Sequence, residues 1–325
     1  MTLVLTHSDI LSVLDRQQVR KAVEQAHAGL AMGERANPAP PAIALPESGT
    51  ALPMAAGGRG MVAVKLLCDV PANRDRGLPT QRSAIMVSSA ITGESLAILD
   101  GRAITAIRTA AASAVATDHL ARQSASILGM IGAGNLAVEH AFAIAAVRDI
   151  TRIVVWSRSA ATIDSFRSAT ATLGIPVESA GSPEDALAVS DIVCTLTPSR
   201  QPIVRGVLFR PGQHVNAVGA PPRADHREID GIGMQRAKVV VDSFPTSMAK
   251  SGGVLLAISE GFITEDDART ELGDVIVGKA AGRTSDADIT LYESVGIGLQ
   301  DLAAAELVIE HATARGIGTS INLSG

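Results

Sequence analysis

Residues 127–136 read ILGMIGAGNL, and no other stretch of the chain restricts its fold so tightly. A short apolar run (Ile127, Leu128, Met130, Ile131) leads into Gly132-Ala133-Gly134, then into Asn135 and Leu136, which can start a helix. A strand that turns this sharply into a helix opens a dinucleotide-binding fold. The first glycine permits the turn, the second lets backbone N–H groups approach a pyrophosphate, and the helix N-terminus adds partial positive charge. Ala137 fills the third small position of the G-x-G-x-x-G/A pattern, leaving room for close helix–strand packing. An ordinary glycine turn after an apolar run has the same local pattern, so the flanking chain has to decide.

In such a fold the second strand ends about 20–25 residues past the glycines, where the ribose is read. Ile153-Val154-Val155-Trp156 stands there, followed by Ser157-Arg158-Ser159. An acidic residue at this point would accept the ribose 2′-hydroxyl. A hydroxyl and a guanidinium instead suit a 2′-phosphate, so NADP(H) is the preferred cofactor and NAD(H) the alternative. Further along, Ile175-Pro176-Val177 reads as a short strand and Ser182-Pro183-Glu184-Asp185-Ala186 as a helix start. Residues 191–197, 214–218 and 239–242 supply a fourth, fifth and sixth strand. Strands alternating with helices predict a doubly wound parallel sheet with ligands at the strands' C-terminal ends. Thr195, Thr197 and Val218 are therefore further candidate cofactor contacts, whereas His226-Arg227-Glu228 reads as loop surface.

A chain of 325 residues is long for one core, which favours two domains. Aromatic residues make up only 2%, so the core has to be built from Ala, Val, Ile and Leu, as a parallel sheet between close-packed helices allows. A net charge of −5, without a basic run, argues against a non-specific nucleic-acid binder. No apolar run reaches membrane-spanning length and no signal-peptide pattern is found, so a soluble cytoplasmic protein is expected. Cys68 and Cys194 read as small buried hydrophobes, and the histidines show no metal-ligand spacing.

The N-terminal third begins with a strand-like Leu3-Val4-Leu5, with Ser8 and Asp9 as candidate helix N-caps and Leu11, Leu14, Val19, Val23 and Ala26 at helical spacing. Residues 35–56, rich in Pro, Ala and Gly, read as an extended crossing segment. Residues 61–67 form a strand by composition, and alternation places Lys65 on the face of Met61, Ala63 and Leu67. Such a lysine either snorkels outward or is a desolvated amine beside a carboxylate-bearing ligand. After the loop-like residues 71–82, the runs 83–87 and 95–99 flank Thr92-Gly93-Glu94 as a hairpin. Next comes a helix of small residues in which Arg108 either meets solvent or a structural carboxylate, or clamps a ligand carboxylate with its planar guanidinium.

Lys65, Arg108-Thr109-Ala110-Ala111, the glycine turn, Trp156-Ser157-Arg158, Gly282-Arg283-Thr284-Ser285, residues 289–296 and Asp301-Leu302-Ala303-Ala304-Ala305 occur in this order. With these blocks the chain resembles the ornithine cyclodeaminase/mu-crystallin family over nearly its whole length. The resemblance implies an α/β protein: a Rossmann doubly wound parallel sheet over 118–296, and a second, α+β substrate-binding and dimerisation domain from 1–117 with 297–325, assembled as a homodimer. It implies that Lys65 and Arg108 are the catalytic pair binding the substrate carboxylate, and that Ser294, Val295 and Gly296 lie near the nicotinamide. The residues alone would make 294–298 an ordinary glycine-containing turn. Cyclodeaminases of the family carry an aspartate shortly after the glycine of the fifth-strand loop. Here Pro221 aligns with it, and Asp225 lies further along. Many members also have an arginine near Pro41-Ala42, where the nearest one here is Arg35. The expected activity is therefore NAD(P)H-dependent reduction of a cyclic ketimine acid, Δ1-pyrroline-2-carboxylate or Δ1-piperideine-2-carboxylate, to L-proline or L-pipecolate. The alternatives are ornithine cyclodeamination, opine-type or alanine dehydrogenase activity on the same scaffold, and mu-crystallin-like ligand binding without turnover. The partners implied are a small imino or amino acid and a second copy of the chain, with neither nucleic acid nor membrane.

Overall fold

The computed structural model describes residues 1–323, and the chain divides into two compact units, Met1–Arg108 with Ile297–Gly325, and Thr109–Gly296. The division falls inside one helix, Gly101–Leu120, and the domain change read at 117/118 lies further along that helix. No turn residue marks the point, because the helix is continuous. Of the anticipated closing segment 297–325, Ser324 and Gly325 lie outside the described residues.

The unit Thr109–Gly296 is built on seven parallel strands in the order Lys238–Val241, Thr290–Glu293, His214–Ala217, Ile192–Thr195, Ile127–Ile131, Arg152–Trp156 and Val177–Ser179. This is the doubly wound sheet expected of the middle of the chain. The third strand starts at Val177 rather than Ile175. Pro176 has no N–H for the ladder, although its carbonyl still accepts from Ile153. The block at 289–296 contributes a strand, Thr290–Glu293, between the fifth and sixth, a position that no local pattern announces. Both faces are covered. Leu128, Met130, Ala137, Ile144 and Phe166 form the core on one side, and Val193, Val215, Val241, Val254 and Leu291 on the other. Each fully buried side chain of this size contributes about 1.5–3 kcal/mol.

Within this unit, residues Ala110 to Thr117 of the long helix are all buried, which explains its small side chains. Its C-terminal carbonyls are collected by one guanidinium. Arg148 donates to the carbonyls of Thr117 (3.0 Å), Asp118 (2.9 Å), Ala121 (3.1 Å) and Arg122 (3.1 Å). Gly282-Arg283 serves the same end. A Cβ on Gly282 would come within 2.6 Å of Leu120, and Arg283 Nε donates to the Leu120 carbonyl at 2.6 Å.

The other unit holds a mixed seven-stranded sheet in the order Thr319–Ile321, Thr2–Leu5, Ser95–Asp100, Gln81–Ser89, Met61–Asp69, Thr50–Gly58 and Ile43–Ala44. Thr6 caps the first helix, His7–Val13, in a capping box with Asp9, so the cap precedes the Ser8 and Asp9 proposed for it. The helical spacing from Leu11 to Ala26 covers two helices, because Asp15 caps a second one, Arg16–Ala31. Much of the expected crossing segment is the strand Thr50–Gly58. Pro53 does not break it: among the described residues, the strand's partners on the side away from Met61–Asp69 are Ile43–Ala44, up to Ala51, and the Ala36–Gly57 bridge, and edge positions tolerate a missing N–H. Cys68 is half-buried, not buried, while Cys194 is buried. The helix Gly298–Arg315 packs on the central strands and on Arg16–Ala31. On the opposite sheet face Val62, Leu66 and Met86 remain 41%, 46% and 48% exposed.

Candidate active site

Strand alternation places Lys65 among the buried positions of Met61–Asp69, and its side chain is 0% exposed. Lys65 Nζ donates to Thr105 Oγ1 (2.7 Å) and Asp301 Oδ1 (3.0 Å). The same Oδ1 accepts from Arg108 Nε at 3.0 Å, and Arg108 Nη1 donates to Gln300 Oε1 at 2.6 Å. Both cations therefore share one carboxylate oxygen, on a side chain 1% exposed at the start of the helix Gly298–Arg315. The structural carboxylate that the helix position of Arg108 left open is Asp301. Arg108 Nη2 donates to no described residue, and Asp301 Oδ2 accepts from none, so donors and an acceptor remain for a bound molecule.

Hydrogen-bond direction fixes the rest of the cluster. Because Gln300 Oε1 accepts from Arg108, its Nε2 donates to His27 Nε2 (3.1 Å), and His27 is neutral with its proton on Nδ1. Burial pushes His27 down to about 4, in keeping with that tautomer. Burial also lowers Lys65; Asp301 opposes the shift, Arg108 reinforces it, and the ammonium ends at about 8.

In the parallel-sheet unit, Gly132 has φ 110°, and a Cβ there would meet the Leu196 carbonyl at 2.8 Å. Gly134 is the N-cap of the helix Asn135–Ala145, no side chain caps that end, and a Cβ on it would meet nothing within 4 Å. Ala133 is buried, Asn135 exposed and Leu136 half-buried. An open turn at a helix N-terminus without a side-chain cap fits the pyrophosphate of a dinucleotide. His140, kept neutral by burial at about 4, donates from Nδ1 to the Leu136 carbonyl (2.8 Å) and accepts from Ser113 at Nε2 (2.9 Å), bracing the first turn. Gly132 N donates to the Trp156 carbonyl at 2.9 Å, which brings Ser157 and Arg158 beside the turn. Arg158 is exposed, with no ion pair to a described residue.

At the neighbouring strand ends the chief organiser is a residue read as surface. Glu228 is buried and accepts from Thr195 Oγ1 (2.8 Å), Thr197 N (2.6 Å), Thr197 Oγ1 (2.7 Å) and Gly219 N (2.7 Å). The Thr195 and Thr197 hydroxyls thus point to Glu228. Nothing local distinguishes Glu228 from an exposed loop acid, because all its donors lie on other strand ends. Val218 N donates to the Thr195 carbonyl. On the next strand, Asp242 Oδ2 accepts from Ser294 Oγ (2.9 Å) and Gly296 N (2.8 Å), fixing a turn that includes the half-buried Val295 and has φ 76° at Gly296. Burial raises Glu293, just before it, to about 8.

Asp225 and Arg35, the residues nearest the two departures from the family pattern, each have an ionic partner within the chain. Asp225 is exposed and bound by Arg200 and by His226 Nδ1 (2.8 Å). Arg35 is buried in a two-pronged pair with Glu306 (3.2 and 2.9 Å).

An open glycine turn on a parallel sheet makes this a protein of the dinucleotide-binding Rossmann class. The sequence model of the ornithine cyclodeaminase/mu-crystallin family matches residues 1–316, and the chain belongs to that family. It is 34% identical over 322 residues to an alanine dehydrogenase of Archaeoglobus fulgidus, covering 98% of each chain. It is 36% identical over 279 residues to a Δ1-pyrroline-2-carboxylate reductase of Bacillus cereus, covering 85% of each. Among solved structures, the Thermococcus litoralis Δ1-pyrroline-2-carboxylate reductase in complex with NADH and L-proline superposes with a TM-score of 0.95 at 33% identity, over 98% of this chain and 100% of that one.

Proposed function

We propose that the protein is an NAD(P)H-dependent reductase of cyclic ketimine acids, converting Δ1-pyrroline-2-carboxylate or its six-membered homologue to L-proline or L-pipecolate. The observation that carries this reading is the buried Lys65–Arg108 pair held by Asp301, a ready receptor for a carboxylate. The similarity to two Δ1-pyrroline-2-carboxylate reductases supports it. Bound NAD(P)H supplies the hydride. Gly132, Ala133, Gly134, Asn135 and Leu136 would hold its pyrophosphate, Ser157 and Arg158 its ribose end, and Thr195, Thr197, Val218 and Ser294 to Gly296 the nicotinamide end. Arg108 and Lys65 orient the substrate through its carboxylate. As the C–H bond forms, the imine nitrogen takes a proton from Lys65 Nζ, and solvent reprotonates the lysine. An ammonium near 8 suits that transfer.

NADPH and NADH oxidation with the five- and six-membered imines, run beside ornithine plus NAD, tests the assignment. No oxidation with either imine would end it. Ornithine cyclodeamination is disfavoured because Pro221 replaces the family acid and Asp225 is tied to Arg200. A second reading, reduction of the acyclic imine of pyruvate, rests on the 98% overlap with the alanine dehydrogenase. Pyruvate with ammonia belongs in the same assay.

Preference for NADPH rests on Arg158. Arg158→Asp should raise the KM for NADPH roughly ten- to a hundredfold by losing a charge-assisted phosphate contact, with little change for NADH. Equal effects on both cofactors would contradict the assignment. We also place the protein as a cytoplasmic homodimer, because reduced nicotinamide is an intracellular cofactor and the sheet face of Val62, Leu66 and Met86 is apolar and uncovered. Leu66→Asp would bury a charge in that contact and should yield a monomer by light scattering. A variant still dimeric at micromolar concentration would remove this face from consideration.

A further inference from the structure

Among the described residues, Lys65 and Arg108 pair with one acid, Asp301, and with no other charged side chain. Asp301 and Arg108 are the charges that act on Lys65. The side chains contributed by the surrounding elements are neutral: Thr105 on the helix Gly101–Leu120, Gln300 on the helix Gly298–Arg315, and His27 on the helix Arg16–Ala31. Two cations and one anion leave a single positive charge on side chains that are almost fully buried. Charge buried without a counter-ion is expensive, so a ligand is accepted best when it brings one negative charge.

We infer that Asp301 is a positioning residue that sets the ionic class of the substrate, making the site selective for imino acids with one carboxylate over those with two. This deepens the reductase reading and rests on it. By accepting from Lys65 Nζ and Arg108 Nε through the same Oδ1, Asp301 fixes the spacing of the two donors and cancels one of their charges. A monocarboxylate with a neutral imine brings the cluster to neutrality. A dicarboxylate leaves a surplus negative charge beside Asp301.

The test is calorimetric binding of two flat, unreactive anions, pyrrole-2-carboxylate and pyrrole-2,5-dicarboxylate, to the NADPH-saturated protein, so that turnover is not required. The wild type should bind the monocarboxylate at least about tenfold more tightly, the scale expected for one uncompensated charge. Asp301→Asn keeps the shape and both acceptor geometries but removes the charge, so the preference should vanish or reverse, whereas a purely structural role would weaken both anions alike. Gln300→Glu adds a negative charge beside Arg108 without touching Asp301, and should weaken both anions and widen the preference. It decides the matter if Asp301→Asn does not fold. Preferences unchanged in the folded variants, or equal binding of both anions by the wild type, would overturn the inference. Binding of neither anion by a wild type that still binds NADPH would overturn the carboxylate-site reading beneath it.

Discussion

Lys65→Met should lower kcat/KM for the cyclic imine by roughly a thousandfold, the middle of the range for losing a positioned proton donor. Methionine fills the lysine stem without a charge, so the melting temperature should hold or rise. The pH dependence separates the proton from the packing. With the ammonium at about 8, wild-type kcat/KM should fall above that pH, and the variant should lack that limb. Stability moves the other way. An unfolded lysine titrates near about 10.4, so between the two values the unfolded chain binds more protons and stability rises with pH. Below the folded value both states are protonated, and the full penalty of burying the charge applies. Wild type and Lys65→Met melts from pH 7 to 10 should therefore converge as activity disappears. Parallel melts would mean that Lys65 titrates as an ordinary lysine.

Arg148→Met should destabilise the protein by about 3–5 kcal/mol, because five buried or part-buried carbonyls lose a charged donor together. For a unit of this size that is a fall in melting temperature of roughly 10 °C. The guanidinium donates to the carbonyls of Thr117, Asp118, Ala121, Arg122 and Val147 and to the Asp118 carboxylate. None of these groups belongs to the Lys65 cluster or the glycine turn, so activity per folded molecule should be unchanged. A loss of activity without a lower melt would place Arg148 elsewhere in the scheme.

Arg148 and Glu228 show what a local pattern leaves out. The glycine turn, the strand alternation at Lys65 and the small residues around Arg108 are legible because each depends on near neighbours and on fixed periods of 2 or about 3.6 residues. Spatial order is not local, and Thr290–Glu293 enters the sheet between two strands that precede it in sequence. Pro53 obscured a strand because the effect of a proline depends on whether another strand lies on that side. The acids that organise both candidate sites carry no local signature of what they do. Asp301 stands out in the sequence only as part of a family block, since its partners are 236 and 193 residues away. Glu228 looked like loop surface because its four donors come from Thr195, Thr197 and Gly219.

The same separation gives the chain an order of assembly. Lys65 and Arg108 leave the ribosome before any of the parallel-sheet unit, while Gln300 and Asp301 follow all of it. During synthesis the sheet unit can close on its own contiguous residues. Until the last helix arrives, the two cations have no counter-charge and are best kept in water. The carboxylate receptor therefore forms only when that helix docks, from residues made before and after the parallel-sheet unit.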